Sequence, residues 1–425
     1  MTWASLIISG RVPRMTATER GGRGCTRWVD LDRVLAWYSL MLRLLAHTAQ
    51  VSLIALAAYN AITALWGWRE RVPAPEGSRL RKLRVVIPAH DEESVIGGIL
   101  SDLAATDYST VETWVLADRC QDSTAEIARA ARARVAVRTT GPDGKGAALA
   151  WYIDQHPLAD DEVLVVFDAD NRVPPEALGR IADEFDAGHA VIQCYLDVAN
   201  PDDSLITEAS ALSYWAGNRM VQLARTNLGW SADLGGTGMA FSAQALHDVG
   251  GFATSLTEDQ ELWARLVLAD RRVEWLHDVR ILDEKPESVR VAIRQRARWM
   301  TGKRATVRRF LIPLVRKGDA ASLDQALRLI QPGRSFVALL SGAFTVLAVA
   351  TGSAWLLSWP VWATATAVQI LEPIPFLARD GVSARRLARY PLLVLVAALW
   401  LPIRLLSRRA DGWYHTPHDS ENKTL

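Results

Sequence analysis

The sequence carries almost no net charge and almost no cysteine. A formal net charge of +1 over 425 residues gives no overall field to hold a polyanion. Nucleic acid is therefore not expected as a partner, and Lys and Arg have to be judged by position. The three cysteines, Cys25, Cys120 and Cys194, show no CxxC or other metal-ligand spacing, and an odd number cannot pair completely within one chain. That excludes a disulfide-stapled scaffold and favours a reducing compartment. The first apolar run lacks a small-residue cleavage site, is long and begins far from the N-terminus, which argues against a removed signal peptide.

What the chain does have is apolar length. Half of its residues are hydrophobic, enough for one core of ~250 residues and several membrane spans. Several of its 17 tryptophans lie near apolar runs, where an amphipathic indole suits the membrane interface. Residues 1–33, rich in Gly, Arg and Thr, read as a disordered arm, with Met15 as an alternative start. Residues 34–68 read as the first span, since Ala49 to Trp68 is free of charge over the ~20 positions a helix needs to cross hydrocarbon. Arg69, Arg71, Arg79, Arg81, Lys82 and Arg84 follow at once. By the positive-inside rule they place the next domain in the cytoplasm.

Residues 80–285 switch to short β-rich runs alternating with helical stretches, the pattern of parallel strands joined by crossover helices. Leu83–Pro88, Val111–Ala117 followed by Asp118, and Val163–Phe167 followed by Asp168 are the clearest strands. Ligands of open α/β sheets bind beyond such carboxyl ends. Residues 286–333 are basic and amphipathic, suited to a membrane surface. Within 334–407, Ser335–Leu357 and Val361–Leu377 flank Ser358-Trp359-Pro360 as a helical hairpin. The charge of the Arg379–Arg389 loop puts it on the cytoplasmic side. Pro391–Leu406 reads either as a span or as a re-entrant segment, and 408–425 form a tail containing Trp413-Tyr414-His415-Thr416-Pro417-His418.

Asp168-Ala169-Asp170 places two carboxylates just past a strand, where Mg²⁺ or Mn²⁺ can be bridged to phosphate oxygens. Alone, such a triplet is better explained by a solvated turn or a helix cap. It stands in a series, however, with Val86-Ile87-Pro88-Ala89-His90-Asp91-Glu92-Glu93, Ala117-Asp118-Arg119-Cys120-Gln121-Asp122-Ser123-Thr124, Gly144-Lys145-Gly146, Thr257-Glu258-Asp259 and Gln295-Arg296-Ala297-Arg298-Trp299. In this order the motifs resemble glycosyltransferase family 2, in its membrane-bound branch of cellulose, chitin, hyaluronan and poly-N-acetylglucosamine synthases.

The resemblance implies a GT-A, Rossmann-like α/β domain for nucleotide-sugar binding, with N- and C-terminal transmembrane helices, in a multi-pass protein of the cell membrane. It implies donor contacts from Pro88, His90, Glu92, Asp118, Lys145 and Asp168, and a metal held by Asp168 and Asp170. Asp259 would be the general base of an inverting transfer. Gln295, Arg298 and Trp299 would meet the diphosphate and the acceptor, the guanidinium by charge-assisted hydrogen bonds and the indole by stacking on a sugar ring. Gly235-Gly236-Thr237-Gly238 resembles the family loop beneath the acceptor. The expected activity is sugar transfer, from a UDP-sugar by resemblance, to a growing β-linked polysaccharide. Single transfer to a lipid or short-glycan acceptor is the alternative, and a scaffold or transport component of an envelope glycan system is the non-enzyme alternative. A glycan or lipid-linked acceptor and membrane lipid are the expected partners, with a second copy of the chain or an accessory export component as further options.

Overall fold

The computed structural model describes residues 11–13 and 28–396. Most of the N-terminal arm, the end of the 391–406 segment and the 413–418 motif lie outside these described residues. Short strands β1 (Arg11–Pro13) and β2 (Trp28–Asp30) pair antiparallel ahead of a long helix, Leu31–Ala64.

Seven further strands form one mixed sheet: β3 (Lys82–Ala89), β4 (Val111–Asp118), β5 (Arg134–Arg138), β6 (Glu162–Val166), β7 (Val191–Val198), β8 (Met239–Ser242) and β9 (Glu274–Asp283). Their order is β5-β4-β3-β6-β8-β7-β9. Strands β3, β4, β5 and β6 are parallel, whereas β8 runs antiparallel to both β6 and β7. Strand β9 is parallel to β7, with a register shift between Cys194 and Tyr195. The alternation of strand residues explains why the sheet is covered on both sides. Val86, Leu116, Leu164 and Val166 pack into one core, while Val85, Ile87, Val115, Val163 and Val165 pack into the other. Parallel pairing of β3, β4 and β6 brings their carboxyl ends together, and with them Pro88, Asp118 and Asp168.

Helix Val289–Lys317 follows the sheet and stops at Gly318, whose φ of 78° is the left-handed conformation of a helix terminus. Helix Ala320–Ile330 returns alongside it, N-capped by Asp319 through the Ser322 N–H at 2.9 Å. Among the described residues, three helices are long and apolar enough to cross a membrane: Val34–Trp68, Arg334–Thr351 and Trp359–Arg379. The last two pack as a hairpin, with the Phe344 and Trp362 rings 4.6 Å apart.

Sheet and apolar helices are tied through a π turn, Asn218–Leu223, set between helices Leu205–Gly217 and Ala224–Asn227. Such insertions turn neighbouring side chains onto different faces. Arg219, 3 % exposed, donates to the Gly67 carbonyl at 3.0 Å and to Glu70 at 3.0 Å, and pairs with Asp380 at 2.5 Å. One guanidinium thus clasps the end of the first apolar helix and the end of the third.

Candidate active site

A cavity of about 1520 Å³ opens at the carboxyl ends of the strands, and every residue named from the sequence as a site candidate lines it: Pro88, His90, Glu92, Asp118, Lys145, Asp168, Asp170, Asp259, Gln295, Arg298 and Trp299. At one end the first two motifs interlock. His90 Nδ1 donates to the Asp118 carbonyl at 2.6 Å, the Glu92 N–H donates to Thr124 Oγ1 at 2.8 Å, and the Glu93 N–H donates to Asp122 at 2.8 Å. Asp118 is not a helix cap, since Ser123 precedes helix Thr124–Ala130. Its carboxylate pairs instead with Arg138 at 2.7 Å and Arg119 at 2.9 Å. The first pair is buried and fixes this carboxylate in the floor of the pocket. Asp91, Cys120 and Asp122 also bring ligand-type atoms within 4.8 Å of one another. Asp91 already accepts the Gln121 N–H at 2.6 Å and Asp122 the Glu93 N–H, so this cluster serves as a splice between two loops.

The second group of residues sits just past β6. Lys145 opens helix Lys145–Gln155, and its ammonium pairs with Asp168 and donates to the Gly236 carbonyl at 2.8 Å. Burial works to lower the lysine's pKa, but the carboxylates of Asp168 and Glu258 outweigh it and hold the ammonium above its ordinary range. Three residues that the sequence did not single out for this task shape the Asp168–Asp170 turn. The Asp168 N–H donates to both Asn171 Oδ1 at 3.0 Å and Thr237 Oγ1 at 2.9 Å, and Thr237 donates to Asn171 in turn. Buried Gln193, in the middle of β7, donates to the Thr237 carbonyl at 2.8 Å and accepts the Gly235 N–H at 2.8 Å. The glycine-rich loop is thereby fixed to the metal-type turn. Asn171 follows the second acid directly and Gln193 interrupts an apolar strand, and those were the available signals. Asp168 and Asp170 both offer hard carboxylate oxygens, with the Asp168 side chain 39 % exposed. This donor set fits Mg²⁺ or Mn²⁺.

Asp259 belongs to helix Glu258–Leu268, which begins after Thr257. A Cβ built on Gly236 would lie 3.9 Å from Asp259 Oδ2, so this acid faces the glycine-rich loop across the cavity. Burial first, then the neighbouring acid, pushes Glu258 up to about 7, and burial pushes Asp259 up to about 6. Lys145 and Arg298 pull Asp259 back toward ionisation. The acidic motif is gripped from two sides by glycines. A Cβ on Gly146 would stand 2.6 Å from Glu258 Cβ, and one on Gly302 would stand 2.6 Å from Thr257 Oγ1. Gln295, Arg298, Trp299 and Gly302 fall at helical spacings of three and four on helix Val289–Lys317. The contact at Gly302 therefore carries the other three to the cavity beside Asp259.

Residues 81–302 match the family described as "Glycosyltransferase like family 2". The chain is 28% identical to a Beta-monoglucosyldiacylglycerol synthase of Trichormus variabilis over 234 residues, which covers 51% of this chain and 48% of that protein. It is likewise 28% identical to a protein of the same name from Synechocystis over 280 residues, 60% of this chain and 55% of the other. The chain spans about half the length of the curated relatives it matches. Among solved structures, a mannosyltransferase from Pyrobaculum calidifontis, in complex with GDP-Man and Mn²⁺, superposes with a TM-score of 0.56 at 20% identity, covering 84% of this chain and 99% of its own. That likeness speaks to the fold, an α/β GT-A arrangement. With the family match spanning more than half its length, the chain belongs to the family 2 glycosyltransferases.

Proposed function

We propose that this chain transfers one hexose, with inversion, from a nucleoside diphosphate sugar to the hydroxyl of a membrane-lipid acceptor. The observation that carries the reading is the placement of Asp259. It faces Lys145 and the Asp168 turn across one cavity, and the adjoining wall is the helix carrying Gln295, Arg298 and Trp299. That helix leads through Ala320–Ile330 to the apolar helix Arg334–Thr351. The names of the curated relatives point the same way.

In this reading residues 80–285 are the catalytic domain. Pro88, His90, Glu92 and Asp118 hold the nucleoside, and Asp168 and Asp170 hold Mg²⁺ or Mn²⁺. The cation supplies charge neutralisation for the leaving diphosphate. Asp259 takes the proton of the acceptor hydroxyl while that oxygen bonds to the anomeric carbon. The bond from that carbon to the diphosphate oxygen breaks, and its electron pair leaves with the nucleoside diphosphate. Lys145 and Arg298 offset the charge that develops there. An α-linked donor then gives a β-linked product. Arg69, Arg71, Arg79 and Arg81, following the first apolar helix, support a cytoplasmic position for the domain. Repeated addition to a growing β-glycan is the second reading, favoured by Trp299 on the acceptor wall, whose indole gives a sugar ring a stacking face.

The test is product size. Purified protein in vesicles is incubated with labelled UDP- and GDP-hexoses and Mn²⁺ or Mg²⁺. A single glycolipid is expected. A ladder of glycans would move the assignment to chain extension, and no transfer to any hydroxyl acceptor would end the enzymatic reading.

A further inference from the structure

A second cavity, of about 550 Å³, lies apart from the active site, where the chain leaves the third apolar helix. One wall is the start of helix Leu205–Gly217, with Ser204 and Leu205. The other is the start of helix Ala384–Val396 and the turn before it, with Ser383, Arg385, Arg386 and Arg389. Arg386 pairs with Asp202 at 2.6 Å and Arg389 with Glu208 at 3.0 Å, and both acids line the cavity too. Arg385 has no ion-pair partner among the described residues. Three arginines against two acids leave one positive charge in excess. The Asp202 side chain is 84 % exposed, and a pair so open to water is weak, so a competing anion displaces it readily.

The surroundings give that anion a tail. Arg385, Arg389 and Leu392 follow one another at helical spacings of four and three, on one face of helix Ala384–Val396. Leu392 is exposed, and so is Leu205 on the opposite wall. The face passes within two turns from basic to apolar, the order in which a membrane surface presents head groups and then acyl chains. Guanidinium forks and serine hydroxyls donate to phosphate oxygens, and bare leucines beside them suit hydrocarbon. Occupancy of the cavity reaches the active site along one helix. Leu205 and Glu208 lie in its first turn, whereas Ser213, Tyr214 and Gly217 near its end line the catalytic cavity. The Arg386 guanidinium also lies 5.5 Å from the ring centroid of Trp215, whose indole donates to Asp197 of β7 at 2.6 Å. A ligand that gathers Arg385, Arg386 and Arg389 relieves their mutual repulsion and draws helix Ala384–Val396 onto helix Leu205–Gly217. The active-site wall is then held more firmly.

We propose that this cavity binds the phosphate head group of an anionic phospholipid, and that the bound lipid, which is not consumed, raises the rate of sugar transfer. The site is separate from the donor and acceptor positions and does not depend on which acceptor is used.

The full chain is reconstituted in dioleoyl phosphatidylcholine vesicles with graded amounts of dioleoyl phosphatidylglycerol. Sugar transfer is followed, and the lipid retained by the protein is counted by native mass spectrometry. Phosphatidylglycerol should raise transfer about fivefold, with saturation, and should be retained in preference to phosphatidylcholine. Joint Arg385→Gln and Arg386→Gln substitution should abolish both the rise and the retention, while the rate in pure phosphatidylcholine stays within about twofold of wild type. Arg385→Glu, at an exposed side chain, should do the same and serves if the double variant folds poorly. Arg308→Gln, which removes an exposed arginine of helix Val289–Lys317, should keep the full rise. Equal retention of the two lipids overturns the proposal, as does a rise that survives both cavity variants or that Arg308→Gln removes equally. An equal rise from inorganic phosphate in pure phosphatidylcholine overturns it as well, since the ligand is then not a lipid. If the wild type transfers sugar to no acceptor, the functional reading fails by itself, and the lipid count still decides the site.

Discussion

Gly302→Ala adds one methyl group where helix Val289–Lys317 touches the acidic motif. The new Cβ would stand 2.6 Å from Thr257 Oγ1 and 3.0 Å from Thr257 Cβ. Carbon contacts are comfortable at ~3.5–4.0 Å, and Thr257 Cγ2 would be the nearest carbon of all, so helix and motif have to part by about 1 Å or more. Thr257 has little room to turn aside, because it is β-branched and 3 % exposed. Two stability terms oppose each other. Alanine inside a helix gains ~0.5–1 kcal/mol over glycine, while overpacking costs ~1–3 kcal/mol. The net loss is at most about 2.5 kcal/mol, which the fold can absorb.

Catalysis has no such compensation. Asp259 is two residues from the contact, and a shift of ~1 Å at a reacting group costs about 10²-fold in rate. The expected signature is a kcat reduced about 30- to 100-fold with only a modest fall in Tm. Sugar transfer at saturating donor and acceptor, measured beside thermal unfolding of the same preparation, reads both. A variant that keeps kcat within about threefold of wild type would show that the glycine contact does not set the position of the acid.

Other perturbations separate the remaining roles. In its proposed role as base Asp259 acts only when ionised, and its pKa is pushed up to about 6; transfer should fall about tenfold per pH unit below that value, and a rate flat to pH 4 would remove it as base. The pKa values of both neighbouring carboxylates, Glu258 and Asp259, are raised, so the folded state binds their protons more tightly than the unfolded one. Their contribution is destabilising at neutral pH and is relieved as pH falls through about 7 and about 6, which a Tm series can follow. Chelation by EDTA should abolish transfer and Mn²⁺ or Mg²⁺ restore it, with Asp170→Ala raising the cation concentration required; undiminished activity after chelation would exclude the metal role. Asn171→Ala removes one of the two acceptors of the Asp168 N–H and the acceptor of the Thr237 hydroxyl. It should lower transfer about tenfold or more with a stability loss of ~1–3 kcal/mol, checked by rates beside thermal melts.

The parallel half of the sheet was legible because its strands are β-rich runs that end in a proline or an acid, a local signal at β3, β4 and β6. The mixed half was not. Strands β7, β8 and β9 pair across long stretches of chain, and Met239–Ser242 is too short to announce itself. The catalytic candidates were legible as motifs, and the cavity gathers them. Their supports were harder to read. Arg138 reaches Asp118 from the next strand, and nothing in its own neighbourhood marks it as a partner. Thr237 was noticed within a glycine-rich loop but assigned to the acceptor, whereas its hydroxyl also braces the Asp168 turn. The π turn has no residue signature at all. It is produced by Arg219 and Asn218 finding partners on opposite sides, Asn218 donating to the Leu196 carbonyl at 2.8 Å.

Arg219 also makes the molecule hard to dissect. A soluble version cut at residue 80 would lose the Gly67 carbonyl and Glu70, and trimming the third apolar helix as well would remove Asp380. A guanidinium buried inside the protein would be stranded, at a cost of ~3–5 kcal/mol, a large share of the ~5–15 kcal/mol that holds a typical domain together. The apolar helices thus act as a keystone for the sheet as well as its mooring. Crystallisation or expression strategies that discard them should yield aggregated material, and those that keep residues 31–396 together should not.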